Sequence, residues 1–155
     1  MINFDLRKLT DKLVKLQAAT TQLPQIAQQA QAEALGHAII GARRNVYDTA
    51  PGAYQRTMDY LRGFQASGRA SRFKASVSVW NTVEYAERLE RGEGPHEMSD
   101  AQIIAQATAH PAAPVYLGRS GRNYTLPGPV VIPASVYAGY RMGELFGKAV
   151  QAALK

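Results

Sequence analysis

Apolar residues in the first twenty positions recur at alternating spacings of four and three. One helical face would carry the five residues of this repeat: Ile2, Leu6, Leu9, Leu13 and Leu16. Charged and polar residues fill most positions between them, so the pattern predicts an amphipathic helix. Pro24 lacks a backbone N–H and clashes with a preceding turn, which predicts a break between Thr20 and Pro24. We therefore expect an N-terminal helix within residues 1–23 that can pivot relative to the rest of the chain.

Two uses of this apolar seam remain open. It packs onto the core of its own subunit, which we favour, or it docks against a neighbouring protein, as amphipathic helices do in grooves. Leu6, Leu9 and Leu13 are the candidate partner contacts in the second case. An isolated helix of this length is marginal in water. Docking therefore predicts disorder before assembly and order after it.

A second helical pattern covers residues 25–47 and consists largely of small residues, which allow close packing. Its apolar positions are Ala27, Ala30, Ala34, Leu35, Ala38, Ile39, Ala42 and Val46. Turn-forming residues at 48–52, including Pro51 and Gly52, predict a loop at its end. Residues 73–80 then alternate between apolar and polar, as expected for a half-buried strand.

The second half of the chain predicts shorter elements. Residues 83–92 resemble a short helix or turn, and Ser99 with Gln102 has the spacing of a capping box that opens a helix over 101–110. Residues 115–117 and 123–126 flank a Gly-containing turn, which predicts a β-hairpin within 114–127. A short strand over 130–132 and a terminal helix over 134–154 complete the pattern.

These elements predict one α+β domain over residues 1–155. We expect N-terminal helices and a C-terminal helix to pack on a small, mainly antiparallel β-sheet with a projecting hairpin. The core of this domain would span residues 24–155, which is an ordinary domain size.

Composition limits the function classes. The chain has 155 residues, of which 46% are hydrophobic and 19% charged, and it has no cysteine. Disulfides, thiolate catalysis and Cys-ligated zinc are thereby excluded. Early charges interrupt any apolar core of a signal peptide, and no run of about 18 apolar residues suggests a membrane span. We expect a protein that is made in the cytoplasm and has no membrane partner.

The net charge of +6 is unevenly distributed. Residues 56–74 are basic and residues 84–100 are acidic, which suggests two surfaces that can meet between subunits. The candidate subunit-interface residues are Arg56, Arg62, Arg69, Arg72, Glu84, Glu87 and Glu90. We expect an arginine at 62, 69 or 72 of one subunit to lie near a glutamate at 84, 87 or 90 of the next. Solvated faces alone would also give such a split.

Catalytic and cofactor motifs are not found. His37, His96 and His110 lack the spacings that converge on a metal. Ser120 lacks the flanking glycines of a nucleophile elbow, and no phosphate-cradling glycine loop occurs. The sequence therefore predicts a protein that is not an enzyme and uses no cofactor.

Arginine and tyrosine interleave between residues 43 and 62, as they do in proteins that contact phosphates and stack on bases. Tyrosines also serve as anchors in protein interfaces. We prefer protein contact because no nucleic-acid-binding motif accompanies them. The predicted hairpin adds four candidates for contact with a partner or with DNA in a channel, namely Tyr116, Arg119, Arg122 and Tyr124. An ordinary mobile loop remains the alternative there.

Three separated segments, taken in order, resemble the tail-component family typified by gene product ten of phage HK97. An Ala-Pro-Gly turn at 50–52 precedes the Arg-Thr-Met-Asp-Tyr-Leu-Arg segment at 56–62. The strand at 73–80 is followed by Tyr85, Ala86, Glu90 and Gly92, and a Pro-Ala pair at 133–134 opens the last helix. Met58 stands where the family has glycine, one extra residue separates Thr57 from Leu61, and the connection over 101–129 is longer than usual.

The resemblance implies a structural subunit of the head-tail junction or of a tail-completion ring in a tailed phage or prophage. Its partners would be further copies of itself, in a ring of six, and the neighbouring connector or head-completion proteins and tail-tube or tail-terminator proteins. It would be located in the virion after synthesis in the host cytoplasm. Non-specific contact with DNA in the channel is compatible with that place. A basic nucleic-acid-binding module remains the alternative.

Overall fold

The structure is a computed structural model that describes residues 6–52 and 56–155. It contains six α-helices and two strands within those ranges. In chain order they are α1 (Leu6–Thr20), α2 (Leu23–Ala42), α3 (Asp59–Arg62), β1 (Phe64–Ser71), β2 (Lys74–Asn81), α4 (Ala86–Arg91), α5 (Asp100–Ala109) and α6 (Val131–Leu154). A π-helical turn, Arg43–Tyr47, continues α2, and a 3-10 turn, Gly94–His96, follows α4.

Helix α2 lies at the centre, where both strands and α6 pack against it. Pro24 lies in its first turn, where the missing N–H would be unbonded in any case. Its buried face is made of small side chains, so neighbouring backbones approach closely. The fully buried alanines of this face are Ala27, Ala30, Ala34, Ala38 and Ala42.

β1 and β2 form an antiparallel hairpin whose register runs from Phe64 opposite Asn81 to Ser71 opposite Lys74. The predicted strand over 73–80 is confirmed, with every second residue from 75 to 79 turned inward. β1 itself was not predicted. It contains Gly68 because α2 crosses there: a Cβ at this position would lie 2.6 Å from the carbonyl oxygen of Ala27.

The core joins helices to this hairpin, so the α+β architecture is confirmed. Its main cluster includes Tyr60, Phe64, Val79, Leu89 and Val130 together with the alanines of α2 and α6. A smaller cluster connects α1, α2 and α6 through Ala19, Ile26 and Ala149. The predicted capping box is also confirmed, because Ser99 Oγ accepts from Gln102 N while the Gln102 side chain accepts from Ser99 N.

The hairpin predicted over 115–126 is wrong. This segment forms turns and extended chain, and several of its backbone groups bond to other parts of the molecule. Gly121 N donates to Ala50 O at 2.9 Å, and Thr125 O accepts from Glu93 N at 2.8 Å. Asn45 Nδ2 donates to Val115 O at 2.9 Å. The strand predicted over 130–132 is also wrong, because α6 begins at residue 131.

The N-terminal seam is solvent-exposed over the part that the structure describes. Leu9 and Leu13 are 55% and 57% exposed, so the favoured prediction that they pack onto the subunit's own core is wrong. α1 contacts α6, and its buried residue there is Ala19. The Ile2 prediction and the side chain of Leu6 lie outside the described residues. Docking of the seam against a neighbour stays a prediction.

Candidate functional site

The turn of the β1–β2 hairpin carries a cluster of exposed cations around one aromatic ring. Arg69, Arg72 and Lys74 are exposed, and Phe73 is 69% exposed. The Arg72 guanidinium lies 5.0 Å from the centroid of the Phe73 ring, in a cation–π contact. We call residues 69–74 the basic tip.

The basic tip is far from the base of the hairpin. Seven residue steps separate Ser71 from Phe64, which at about 3.3 Å per residue places the tip about 23 Å from the base. The base is fixed to α3, because Asn81 Nδ2 donates to Tyr60 O at 2.7 Å and Thr82 N donates to Gly63 O at 3.0 Å. The tip therefore cannot reach the elements that adjoin the base.

An acidic surface adjoins that base, on α4 and on the residues that flank it. A depression of about 360 Å³ is lined by Glu84, Glu87, Glu93 and Glu97, which we call the acidic face, together with Arg88 and Arg91. Two of the carboxylates are paired within the subunit: Arg88 lies 2.9 Å from Glu93, and Arg91 lies 3.0 Å from Glu87. Because four carboxylates surround two guanidinium groups, the depression keeps a negative charge.

A second cavity, of about 490 Å³, lies beside the acidic face and shares Arg88 and Glu93 with it. We call it the tyrosine cleft. Four separate segments bring its aromatic walls together, and the lining tyrosines are Tyr47, Tyr60, Tyr85 and Tyr124. Val46 and Leu89 add apolar surface, and Arg56 and Arg119 add positive charge.

The deepest tyrosine of the cleft is Tyr60, which is only 1% exposed. Its hydroxyl has no hydrogen-bond partner among the residues that the structure describes. Burial raises the pKa of Tyr60 well above its usual value, and the nearby charge of Glu90 adds to this. Burial also raises the pKa of Tyr47, whose hydroxyl donates to Thr57 O at 2.9 Å. Both phenols therefore stay neutral at ordinary pH.

Some predicted interface residues lie at the surface and others do not. Arg62, Arg69, Arg72, Glu84 and Glu87 are exposed and remain candidates. Arg56, by contrast, is half-buried and serves the subunit's own loop.

The guanidinium of Arg56 donates to the carbonyl oxygens of Tyr47 and Thr49 at 3.0 and 2.9 Å. A third bond goes to the carbonyl oxygen of Ala50. These bonds fix the chain that follows α2. Arg56 therefore lines the cleft and does not project toward a neighbouring subunit.

The prediction that Glu90 is a subunit-interface residue is wrong. Its side chain is buried, with 6% exposure, and therefore cannot form a contact between subunits. Its carboxylate accepts hydrogen bonds from the backbone N–H groups of Val130, Val131 and Ile132 at 2.8, 3.0 and 2.7 Å. Burial raises the pKa of Glu90, and these three bonds oppose the shift. Glu90 thus holds the N-terminus of α6.

The candidates in the 115–126 segment divide in the same way. Arg119 does not project: it is half-buried, lines the tyrosine cleft and donates to Leu126 O. Tyr116, Arg122 and Tyr124 are exposed. The Arg44 guanidinium lies 5.3 Å from the centroid of the Tyr116 ring.

The sequence did not reveal the tyrosine cleft, because residues 47, 60, 85 and 124 are far apart in the chain and share no motif. The described ranges contain no group of three His, Cys, Asp or Glu residues placed to hold a metal ion. Within them, no helix combines the length and apolar character needed to cross a membrane. Comparisons with protein-family models, curated proteins and solved structures found no match to this chain.

Proposed function

We propose that this protein is a structural subunit of the head-tail junction, or of a tail-completion ring, in a tailed phage or prophage. In this role it acts by assembling head to tail with further copies of itself. The observation that carries the proposal is the placement of the basic tip and the acidic face at opposite ends of one hairpin.

A ring requires heterologous contacts, in which one surface of a subunit meets a different surface of the next. The basic tip and the acidic face are two such surfaces with opposite charge. They cannot neutralise each other within one subunit, because the tip lies about 23 Å from the base of the hairpin. The segment order that resembles the phage tail-component family supports a ring of six, seated between connector and tail tube.

Exposed features outside these two surfaces would serve the neighbouring layers of the junction. The leucine seam of α1 is open to a partner's groove, and Arg122 and Tyr116 are exposed on the 115–126 segment. Neither feature is needed for the subunit's own main core.

The test is to locate the protein in assembled particles. We expect electron cryomicroscopy of intact virions to show a ring of this subunit between the portal-side connector and the tail tube. Deletion of its gene should leave filled heads and separate tails, because the junction cannot form. Joined, infectious particles that lack the protein would contradict the proposal.

A nucleic-acid-binding role is the second candidate, and one cluster favours it. Arg43, Arg44 and Tyr116 line an open depression of about 340 Å³. Arg43→Gln with Arg44→Gln should then weaken the retardation of duplex DNA and reduce the slope of log affinity against log salt by about two. Equal retardation by the wild type and the double variant would remove this candidate.

A further inference from the structure

We infer that Phe73 of one copy inserts into the tyrosine cleft of the next copy, while Arg72 and Lys74 contact that copy's acidic face. The inference deepens the proposed function and rests on it for the biological setting, since both require self-association. The occupant of the cleft is therefore a second copy of this chain.

Phe73 has the features of an interface anchor. It stands in the two-residue turn between β1 and β2, and it is 69% exposed, although large apolar side chains in water are costly when they are not covered. Aromatic residues at the centre of an interface commonly carry most of the binding free energy. Strand pairing continues to Ser71 and Lys74 on either side of the turn, which limits the conformational entropy lost on docking.

The tyrosine cleft offers a matching receptor. Its volume of about 490 Å³ lies within the range of about 300 to 1,000 Å³ that is common for binding pockets. Aromatic walls give edge-to-face contacts with an inserted ring. The guanidinium groups of Arg88 and Arg119 at the lining can face the ring in cation–π contacts.

The charges of the tip and of the receptor surface are complementary. On the tip, the ring lies between Arg72 and Lys74, whereas on the receptor the cleft lies beside the acidic face and shares Arg88 and Glu93 with it. One approach of the tip therefore buries the ring and pairs the cations. The acidic face would repel the phosphates of a nucleic acid but attract the cations of the tip, which favours a protein occupant beside it.

Cysteine cross-linking tests the contact directly, because the natural chain contains no cysteine. Phe73→Cys and Tyr124→Cys are purified separately, checked for folding by circular dichroism, mixed and oxidised. We expect a disulfide-linked dimer only in the mixture, since the contact joins two different surfaces. The double variant should give a ladder that ends at the ring size.

The matched control places the second cysteine at Tyr116, an exposed tyrosine outside the cleft, and leaves Tyr124 unchanged. A mixture of Phe73→Cys and Tyr116→Cys should give no heterodimer above background. The inference fails if this control cross-links equally well, if Phe73→Cys links mainly to itself, or if the Tyr124→Cys mixture gives no link.

The self-association constant of the cysteine-free chain supplies a second measurement. Phe73→Ala should weaken self-association roughly thirtyfold, which corresponds to about 2 kcal/mol, while Ile104→Ala on α5 should leave it unchanged.

Arg72→Glu with Lys74→Glu should weaken self-association as well. Adding Glu84→Lys and Glu97→Lys should restore it, and these two are chosen because Glu87 and Glu93 already pair with arginines. An absent rescue together with an unaffected Phe73→Ala variant would overturn the inference.

The two proposals fail in different ways. Rings at the phage junction without the 73–124 link would refute the inference and leave the function intact. A specific 73–124 link in a protein that is missing from virions would refute the function and leave the contact established.

Discussion

The carboxylate of Glu90 accepts a 2.7 Å hydrogen bond from the backbone N–H of Ile132, forty-two residues later in the chain. Val130 and Val131 donate to the same carboxylate. The N-terminus of a helix carries unbonded N–H groups and a partial positive charge, so it favours an anion. Glu90 thereby ties α4 to the start of α6, which packs against α2.

Replacement of Glu90 by Ala should destabilise the fold by about 3 kcal/mol, because it leaves three backbone donors without their acceptor in a buried site. Glu90→Gln should cost much less, since one side-chain oxygen can still accept and the buried negative charge is removed. The free energy of unfolding in urea measures both effects.

Glu87→Ala is the matched control one turn earlier in the sequence, at an exposed position. It should change the free energy of unfolding by less than about 0.5 kcal/mol. Equal stability of the Glu90→Ala variant and the wild type would show that the three hydrogen bonds do not hold α6.

His37 makes the stability of the fold sensitive to acid. Its ring is buried and stacks on Tyr137 with 4.5 Å between the centroids, and burial lowers its pKa below the ordinary value of 6.5. As the pH falls below 6.5, the unfolded chain takes up a proton before the folded chain does. The stability that neutral His37 contributes is complete above its unfolded pKa and is lost as the pH falls through the folded pKa.

His37→Phe should therefore remove part of the acid sensitivity. Between about pH 7.5 and about pH 5.5 the wild type should lose up to about 1 kcal/mol more than the variant in urea unfolding. His110→Phe, at an exposed position, should follow the wild type. Parallel curves for the wild type and the His37 variant would contradict the prediction.

Gly52 and Gly121 lie backbone against backbone, and a Cβ on either would fall well inside van der Waals contact with the other residue. Gly121→Ala should therefore destabilise the fold by about 2 kcal/mol. Gly147→Ala is the control, because no atom lies within 4 Å of the added Cβ on α6. It should stabilise the fold by about 0.5 to 1 kcal/mol. Thermal unfolding of the two variants should shift in opposite directions.

Elements governed by nearby residues could be predicted from the sequence. The capping box at Ser99 and Gln102 involves two residues three positions apart, and the alternation in β2 repeats every second residue. The exposed charges of the basic tip and the acidic face were also found from local composition. In each case the determining interaction lies within a few residues.

Features that depend on distant partners could not be predicted. Glu90 stands in an acidic run and resembled a surface charge, because its donors lie forty residues away. The segment at 115–126 has the turn residues of a hairpin, but Asn45 and Ala50 bind its backbone groups. β1 lacks an apolar repeat, and part of its contact with α2 is polar: Gln31 of α2 accepts from Gly68 N at 2.8 Å and donates to Ala66 O at 3.0 Å.

The exposed seam of α1 leads to the last prediction. Leu9 and Leu13 are open to solvent, and an isolated helix of this length gains little stability from its own hydrogen bonds. Amides of residues 7–16 should therefore exchange rapidly in the free subunit and slowly in the assembled particle. Strong protection in the free subunit would contradict docking.

Variants separate docking from folding. Leu9→Gln with Leu13→Gln should leave the thermal unfolding midpoint within about 2 °C of the wild type, because exposed substitutions change stability by less than about 0.5 kcal/mol. The same pair should reduce incorporation into particles, since each substitution removes about 2 kcal/mol of stabilisation by apolar burial in the docked state. Asp11→Asn with Lys15→Gln changes the opposite side of the helix and should incorporate normally. If both pairs incorporate equally well, the seam has no partner in the particle, and its leucines are tolerated surface residues.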